Sequence, residues 1–163
     1  MKRLFCILLS LCFLLSGCSF WGERIKDPVV FYYIRDDFQK DMESVISSET
    51  REAAGHRNDL PYLLALYSMG PSTEGFLSPI PNGTKISPTE HTPDGIVLTL
   101  TDEAANMTDA EYTLASACIA MTCMELTDAT KITVSCGERS ITITENNLLL
   151  DDPSHLKQLE VHE

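Results

Sequence analysis

Residues 58–101, NDLPYLLALYSMGPSTEGFLSPIPNGTKISPTEHTPDGIVLTLT, contain the pattern that decides the fold of this chain. Asn58 or Asp59 can cap a helix in which Pro61 stands early, where its missing N–H group costs little. Leucine and tyrosine side chains recur at helical spacing from Leu60 onward, and Met69 continues the pattern. Gly70-Pro71 then ends the helix. The segment therefore predicts a short amphipathic helix with defined ends.

The stretch after this helix is rich in proline and glycine. Residues 71–93 hold five of the eight prolines of the chain, which indicates a shaped loop or short strands rather than a helix. Leu77 and Ile80 are expected to pack into the core. Three glycines suit turns that need positive φ: Gly70, Gly83 and Gly95.

Strands are predicted on both sides of this region. Residues 29–34, VVFYYI, are β-branched and aromatic, and residues 96–100, IVLTL, follow an Asp-Gly turn. Residues 42–48 are read as a second, short strand. The polar residues 51–56 are read as a turn that contains glycine.

A second helix is predicted after residue 107. Thr108 or Asp109 is its cap, and Glu111 lies close to its positive end. Apolar residues cover two faces of this helix, so we expect deep burial. The first face carries Tyr112, Ala115, Cys118, Ile119, Thr122 and Leu126, and the second carries Leu114, Ala117, Met121 and Met124.

The remaining pattern is a hairpin. Residues 132–136 alternate between apolar and polar, a turn follows at 137–138, and residues 140–144 return as the partner strand. The order strand, helix, strand, helix, strand, strand predicts an α+β fold, a small mixed sheet with two helices packed on one face. The predicted domain spans 28–145, and 146–163 form an acidic C-terminal tail.

Several of these segments together resemble the GerMN domain, a family of sporulation and spore germination proteins. The matching features are the helix that ends in Gly70-Pro71, the segment 78–84 (SPIPNGT), and Asp94-Gly95 before a strand. The chain departs from the family at 135–137, which read Ser-Cys-Gly where the family often has Val-Asp-Gly, and the segment 36–56 matches poorly.

The resemblance covers about residues 29–144 and carries expectations about fold and function. It implies a small α+β domain related to the ring-building motifs of sporulation complexes. Such domains act by protein–protein assembly or at the cell wall. The implied source is a Gram-positive, endospore-forming lineage, although the domain also occurs outside sporulation.

The N-terminus has the organisation of a lipoprotein signal peptide. Lys2 and Arg3 form a basic region, and residues 4–15 are an almost unbroken apolar run of 12 positions. That length suits a signal peptide, because a membrane-spanning helix needs roughly 20 apolar residues. The sequence Leu-Ser-Gly-Cys at 15–18 resembles the bacterial lipobox, which predicts cleavage after Gly17 and lipidation of Cys18. An ordinary secretory signal with a chance cysteine is the alternative.

The lipid decides the expected location. Two acyl chains such as palmitate give a stable anchor, whereas one gives only marginal membrane binding. We therefore expect residues 1–17 to be removed, Cys18 to hold the chain to the outer, extracytoplasmic face of the cell membrane, and residues 18–27 to form a linker.

The charge of the chain limits its partners. Without residues 1–17, 10 basic residues face 24 acidic ones, a net charge near −14. Nucleic acid and anionic lipid are repelled by such a surface, so no nucleic-acid partner is expected and only the lipid would hold the chain to a membrane. The acidity is interpreted mainly as a solvated surface, with a basic partner or bound cations as the alternative.

Three cysteines remain in the mature chain besides Cys18. Cys118, Cys123 and Cys136 are interpreted as small apolar core residues, with one disulfide and one free thiol as the alternative. A Cys–His nucleophile pair is the less favoured hypothesis. Residues 118 and 123 are poorly spaced for zinc. The four histidines fall in predicted loops or the tail: His56, His91, His155 and His162.

No catalytic residue, cofactor or metal site is expected. The chain has no P-loop, no His-Glu-x-x-His and no Gly-x-Ser-x-Gly. The acidic pairs at 36–37, 102–103 and 151–152 are interpreted as exposed charge at turns, with weak calcium binding as the alternative.

Two function classes remain open. The first is a non-enzymatic, lipid-anchored module that assembles envelope proteins, including in sporulation or germination, with a homo-oligomer as one option for its own assembly. The second is a binding module for peptidoglycan or other cell-wall glycan, which an exposed aromatic platform would favour. The candidates for that platform are Trp21, Tyr32, Tyr33, Tyr62, Tyr67 and Tyr112. A small hydrolase is a third, less favoured reading.

Overall fold

The computed structural model describes residues 25–36, 44–92 and 95–147. Cys18, the signal peptide, the linker up to residue 24 and the tail from residue 148 lie outside these ranges. The described elements, in chain order, are β1 (Pro28–Arg35), β2 (Ile46–Glu52), α1 (Leu60–Ser68), β3 (Phe76–Leu77), β4 (Ile86–Thr92), β5 (Gly95–Leu100), a 3₁₀ helix (Asp102–Asn106), α2 (Asp109–Leu126), β6 (Lys131–Cys136), β7 (Arg139–Thr144) and a second 3₁₀ helix (Glu145–Asn147).

The first sheet has the order β2-β1-β3 and is antiparallel throughout. The predicted strand at 29–34 is confirmed, and its alternation buries Val29, Phe31 and Tyr33 on the core side. The second strand was predicted at 42–48 but runs from Ile46 to Glu52. Its sequence, ISSETRE, has little apolar alternation, so its position is set by register with β1 and not by its own pattern.

The second sheet has the order β4-β5-β6-β7. β5 and β6 are parallel, and the outer pairs are antiparallel. The predictions for β5, β6 and the returning strand β7 are confirmed. The proline-rich region supplies β3 and β4, in agreement with the short strands expected there. Apolar residues of the two central strands alternate toward the core: Ile96, Leu98, Leu100, Ile132 and Val134.

Helix α1 begins and ends largely as its sequence predicts. The Asp59 Oδ1 accepts a hydrogen bond from the Tyr62 N–H at 3.1 Å, and Pro61 lies in the first turn. The helix buries three side chains: Leu63, Leu64 and Tyr67. Met69 was expected on this apolar face, but it is the C-terminal cap and 80% of its surface is exposed, because the helix ends before it.

Helix α2 contacts strands of both sheets, namely β1, β6 and β7. Its N-terminus is a capping box in which Thr108 and Glu111 satisfy each other's backbone N–H groups. Thr122 Oγ1 accepts a hydrogen bond from the Tyr32 N–H at 2.9 Å, so the helix satisfies a backbone group of β1 beyond the two residues that pair with β3. Deep burial is found on one face, whereas the second predicted face is only half-buried.

Two details of the proline-rich loop differ from expectation. Gly70 and Gly83 have positive φ as predicted, with values of 86° and 89°. Gly95 does not have positive φ. Glycine is needed at this position for a different reason, because a Cβ there would lie 2.2 Å from the Lys131 backbone O. Ile80 is buried as expected, but Leu77 is 47% exposed because it stands on the two-residue edge strand β3.

The α+β class is therefore confirmed, and the strands are divided between two sheets instead of forming one. No helix within the described residues is long and apolar enough to cross a bilayer.

Candidate functional site

The three cysteines of the domain lie in its interior. Cys118, Cys123 and Cys136 are buried and free, as the preferred reading of the sequence expected. Burial raises the pKa of the Cys118 thiol to about 12 and that of Cys123 to about 11. Because the thiolate is the nucleophilic form, these two thiols are poor candidates for a catalytic group near neutral pH. The Cys136 Sγ lies 3.6 Å from the Thr101 carbonyl O, to which it donates.

The aromatic residues also contribute mainly to the core. Tyr33, Tyr67 and Tyr112 are buried. The rings of Tyr33 and Tyr67 stack with their centroids 4.9 Å apart. Tyr62 is half-buried and stacks on the exposed His56 at 4.0 Å. Tyr32 is also half-buried, so Tyr62 and Tyr32 are the platform candidates that keep exposed surface among the described residues, and Trp21 lies outside them.

An open groove with a volume of about 510 Å³ lies on the described part of the domain. Three segments distant in sequence form it: the loop after β3, the 3₁₀ helix, and the first turns of α2. Ile34, at the end of β1, completes it. Its lining residues are Ile34, Ser78, Pro79, Ile80, Pro81, Glu103, Asn106, Met107, Glu111 and Leu114.

The loop that forms one wall of the groove is the SPIP segment of the proline-rich region. Pro79 and Ile80 are buried, and Pro81 is half-buried. The Ser78 hydroxyl donates a hydrogen bond to the Ile80 carbonyl at 3.0 Å, and prolines on both sides of Ile80 restrict φ. This wall is therefore short, apolar and conformationally restricted.

Two carboxylates, Glu103 and Glu111, line the groove and remain exposed. The Thr101 hydroxyl hydrogen-bonds to Glu103 and lowers the pKa of that carboxyl. The Thr108 N–H and hydroxyl each donate to the Glu111 Oε2 at 2.8 Å, which lowers the pKa of Glu111. Both groups are therefore ionised near neutral pH. A glycosidase needs one carboxylic acid with a raised pKa, so this pair does not fit that chemistry.

Arg139 holds in place the first turn of α2, which forms one side of the groove. Its Nη1 donates to the Met107 carbonyl at 2.8 Å, and its Nη2 donates to the Asp109 carboxylate at 3.0 Å. Its guanidinium also lies over the Tyr112 ring, 4.2 Å from the centroid. No local sequence pattern indicates this role, because Arg139 follows α2 by more than ten residues and only the β6–β7 hairpin brings it back.

Glu49 forms a second polar cluster, for which the sequence carries no local signal. Its side chain is 3% exposed and accepts hydrogen bonds from the Ser72 and Thr73 N–H groups and from the Ser72 hydroxyl. The Arg51 Nε lies 3.9 Å from its Oε1. Arg51 also donates to the Gly70 carbonyl at 3.0 Å. These bonds fasten the turn after α1 to β2, which is a structural role.

The remaining predicted site residues are dispersed. His56 and His91 are exposed, and the described residues contain no group of three or more His, Cys, Asp or Glu side chains able to hold a metal ion. Asp102 and Glu103 open the 3₁₀ helix, where Glu103 faces the groove instead of a cation site. Cys18, Asp37, Asp151, Asp152, His155 and His162 lie outside the described residues.

Comparison of the sequence with known proteins gives no match to a family model and none to a curated protein. The fold does match solved structures. The first GerMN domain of the sporulation protein GerM from Bacillus subtilis superposes with a TM-score of 0.51 at 12% identity, over 71% of this chain and 86% of that one.

Two weaker matches accompany it. The tandem GerMN domains of the same protein give a TM-score of 0.49 at 13% identity, over 71% of this chain and 41% of that one. A candidate lipoprotein from Clostridium perfringens gives a TM-score of 0.41 at 18% identity, over 74% of this chain and 89% of that one. From the first match and the arrangement of helices and sheets, the domain of this chain has a fold similar to that of a GerMN domain.

Proposed function

We propose that this chain is a lipid-anchored lipoprotein of the cell envelope whose GerMN-like domain acts by binding and not by catalysis. The sequence from Lys2 to Cys18 supports the anchor. The fold likeness to a domain of a sporulation protein supports a role in envelope assembly, in sporulation or germination.

One observation carries the proposal of binding: the groove combines an apolar wall with two carboxylates whose pKa values are lowered. Glu103 and Glu111 are each stabilised as anions by their own threonine. A general acid would need the opposite shift of its pKa. The buried thiols of Cys118 and Cys123 have raised pKa values and lie away from solvent. These groups suit recognition of a partner better than proton transfer or nucleophilic attack.

The test uses the chain from residue 19 onward, which lacks the lipid anchor. It is incubated with purified, labelled cell wall, and released fragments and bound protein are measured together. We expect no fragment release above the background of buffer alone, and retention of envelope proteins when the chain is immobilised. Turnover that persists in a folded preparation and is lost in the Glu103→Gln variant would overturn the proposal.

Binding to wall glycan is a second candidate, and one feature of the second sheet favours it. The outer face of this sheet carries a row of hydroxyls that bond to each other across strands. The Thr99 and Ser135 oxygens lie 3.2 Å apart, and those of Thr133 and Thr142 lie 2.9 Å apart. Such a face offers uncharged donors and acceptors to a polysaccharide.

Co-sedimentation with purified peptidoglycan separates the two candidates. If glycan binding is the function, replacing Thr133 and Thr142 by valine lowers the sedimented fraction while the fold is retained. If protein assembly is the function, the wild-type chain stays in the supernatant and still retains envelope proteins.

A further inference from the structure

We propose that the groove binds an extended peptide segment of a partner protein, in which a basic side chain stands between apolar residues. This inference rests on the proposed binding function and names the chemistry of the partner.

The apolar component of the site is the wall and the edge next to it. Pro79, Pro81 and Leu114 line the groove. Leu77 is 47% exposed and stands directly beside it, since it pairs with Ile34 and precedes Ser78. An exposed apolar residue that continues an apolar groove is typical of an interaction site.

The charge of the groove selects a basic ligand. Glu103 and Glu111 are both ionised near neutral pH. The positive end of the α2 dipole is already compensated by Asp109 and Glu111 in the first turn. The guanidinium of Arg139 is engaged by the Asp109 carboxylate at 3.0 Å. Lys85 is the cation that acts on Glu103, and its effect on the pKa of Glu103 is smaller than that of the Thr101 hydrogen bond.

The mature chain as a whole is also negatively charged. The mature chain has 10 basic against 24 acidic residues, so its overall field also attracts a cationic partner. A second copy of this acidic chain would be repelled, which argues against self-association through this surface.

The topology favours a peptide over a sugar or a metal ion. β3 is the edge of its sheet and pairs on its outer side with no described strand, so an extended peptide can be added next to it. None of the described residues that line the groove is aromatic, so a sugar ring would find no stacking surface there. The described residues also hold no metal-binding cluster.

The binding test uses the mature chain purified in detergent. The probes are two fluorescent libraries of seven-residue peptides with leucine, valine or proline at the flanking positions. One library has arginine at the centre and the other has glutamate. We expect preference for the arginine library, decreasing as salt is raised.

Two variants with the same change in net charge localise the effect. Glu103→Gln with Glu111→Gln removes both groove carboxylates, and glutamine preserves the capping box. We expect about tenfold weaker binding of the arginine library, from about threefold per exposed ion pair. Glu90→Gln with Glu145→Gln removes two exposed carboxylates elsewhere and should change binding less than twofold. Equal binding of both libraries, or equal loss in both double variants, would overturn the groove assignment.

A third variant separates this inference from the proposed function. Leu114→Lys places a cation in the groove and should abolish peptide binding while the circular dichroism spectrum is unchanged. If this folded variant retains envelope proteins as well as wild type does, the groove inference fails and the proposed function stands. If wild type retains neither peptides nor envelope proteins, both fail.

Discussion

Gly95 stands at a close approach of the backbones of the parallel strands β5 and β6, and replacing it by alanine should destabilise the domain by about 3 kcal/mol. A Cβ at this position would lie 2.2 Å from the Lys131 backbone O, so the strands would have to separate by about 1 Å. β6 is held on its other side by β7, where Lys131 pairs with Thr144. The expected cost combines overpacking of about 1–3 kcal/mol with weakened ladder hydrogen bonds of about 1 kcal/mol each.

The matched control is Gly137→Ala. Gly137 has a φ of 58°, and a Cβ there would meet nothing within 4 Å, so only the left-handed backbone is penalised. That penalty is about 1 kcal/mol. Urea denaturation of the chain from residue 19 onward measures the free-energy cost of each substitution. The cost is the shift of the unfolding midpoint multiplied by the slope m, provided that m is equal in wild type and variant. Sucrose in all samples keeps a weakly stable variant measurable. A Gly95→Ala cost equal to or below that of Gly137→Ala would refute the close-approach argument.

Four further predictions follow from other parts of the molecule. Cys18→Ala should block incorporation of a fatty-acid probe, because the thiol that carries the lipid is removed. The folded unit should survive limited proteolysis as a fragment spanning about 28–145. Glu49→Ala should cost about 2 kcal/mol in urea denaturation, because the Ser72 and Thr73 N–H groups lose a charged acceptor and the largely buried Arg51 loses its carboxylate partner. Because burial raises the pKa values of Cys118 and Cys123 to about 12 and about 11, folding stability should fall as pH rises above about 9.

Each of these has an outcome that contradicts it. If the Cys18→Ala chain incorporates as much fatty-acid probe as wild type, the prediction of a lipid anchor at Cys18 is wrong. Early cleavage inside β5 would contradict the domain limits. A Glu49→Ala cost under about 0.5 kcal/mol, typical of surface substitutions, would show that its cluster contributes little. For the thiols, the control is Cys118→Ala with Cys123→Ala, whose stability should depend less steeply on pH between 9 and 11 than that of wild type.

Much of the local structure follows from the sequence because its causes are local. Asp59 and Pro61 predict the start of α1, and Gly70 its end, through capping, a restricted φ and a left-handed backbone. Thr108 and Glu111 predict the start of α2 in the same way. β-branched and aromatic composition predicts β1, and period-two alternation predicts β6.

Predictions failed where the deciding partner is distant in the chain. β2 has little alternation of its own, and only pairing with β1 places it at Ile46–Glu52. The need for glycine at position 95 comes from a carbonyl 36 residues away, on β6, and not from its own backbone angle. Glu49 is polar and would be read as exposed, but it is buried against the turn after α1.

The sequence alone determined the caps, the turns, the strand and helix types, and the α+β class, since these depend on neighbours within a few residues. The tertiary structure decided the division into two sheets and the position of α2 in contact with both. It also created the groove, because Pro79, Glu103 and Glu111 belong to three separate segments. Their meeting depends on strand register and on the Arg139 contacts that hold the start of α2, which no local pattern specifies.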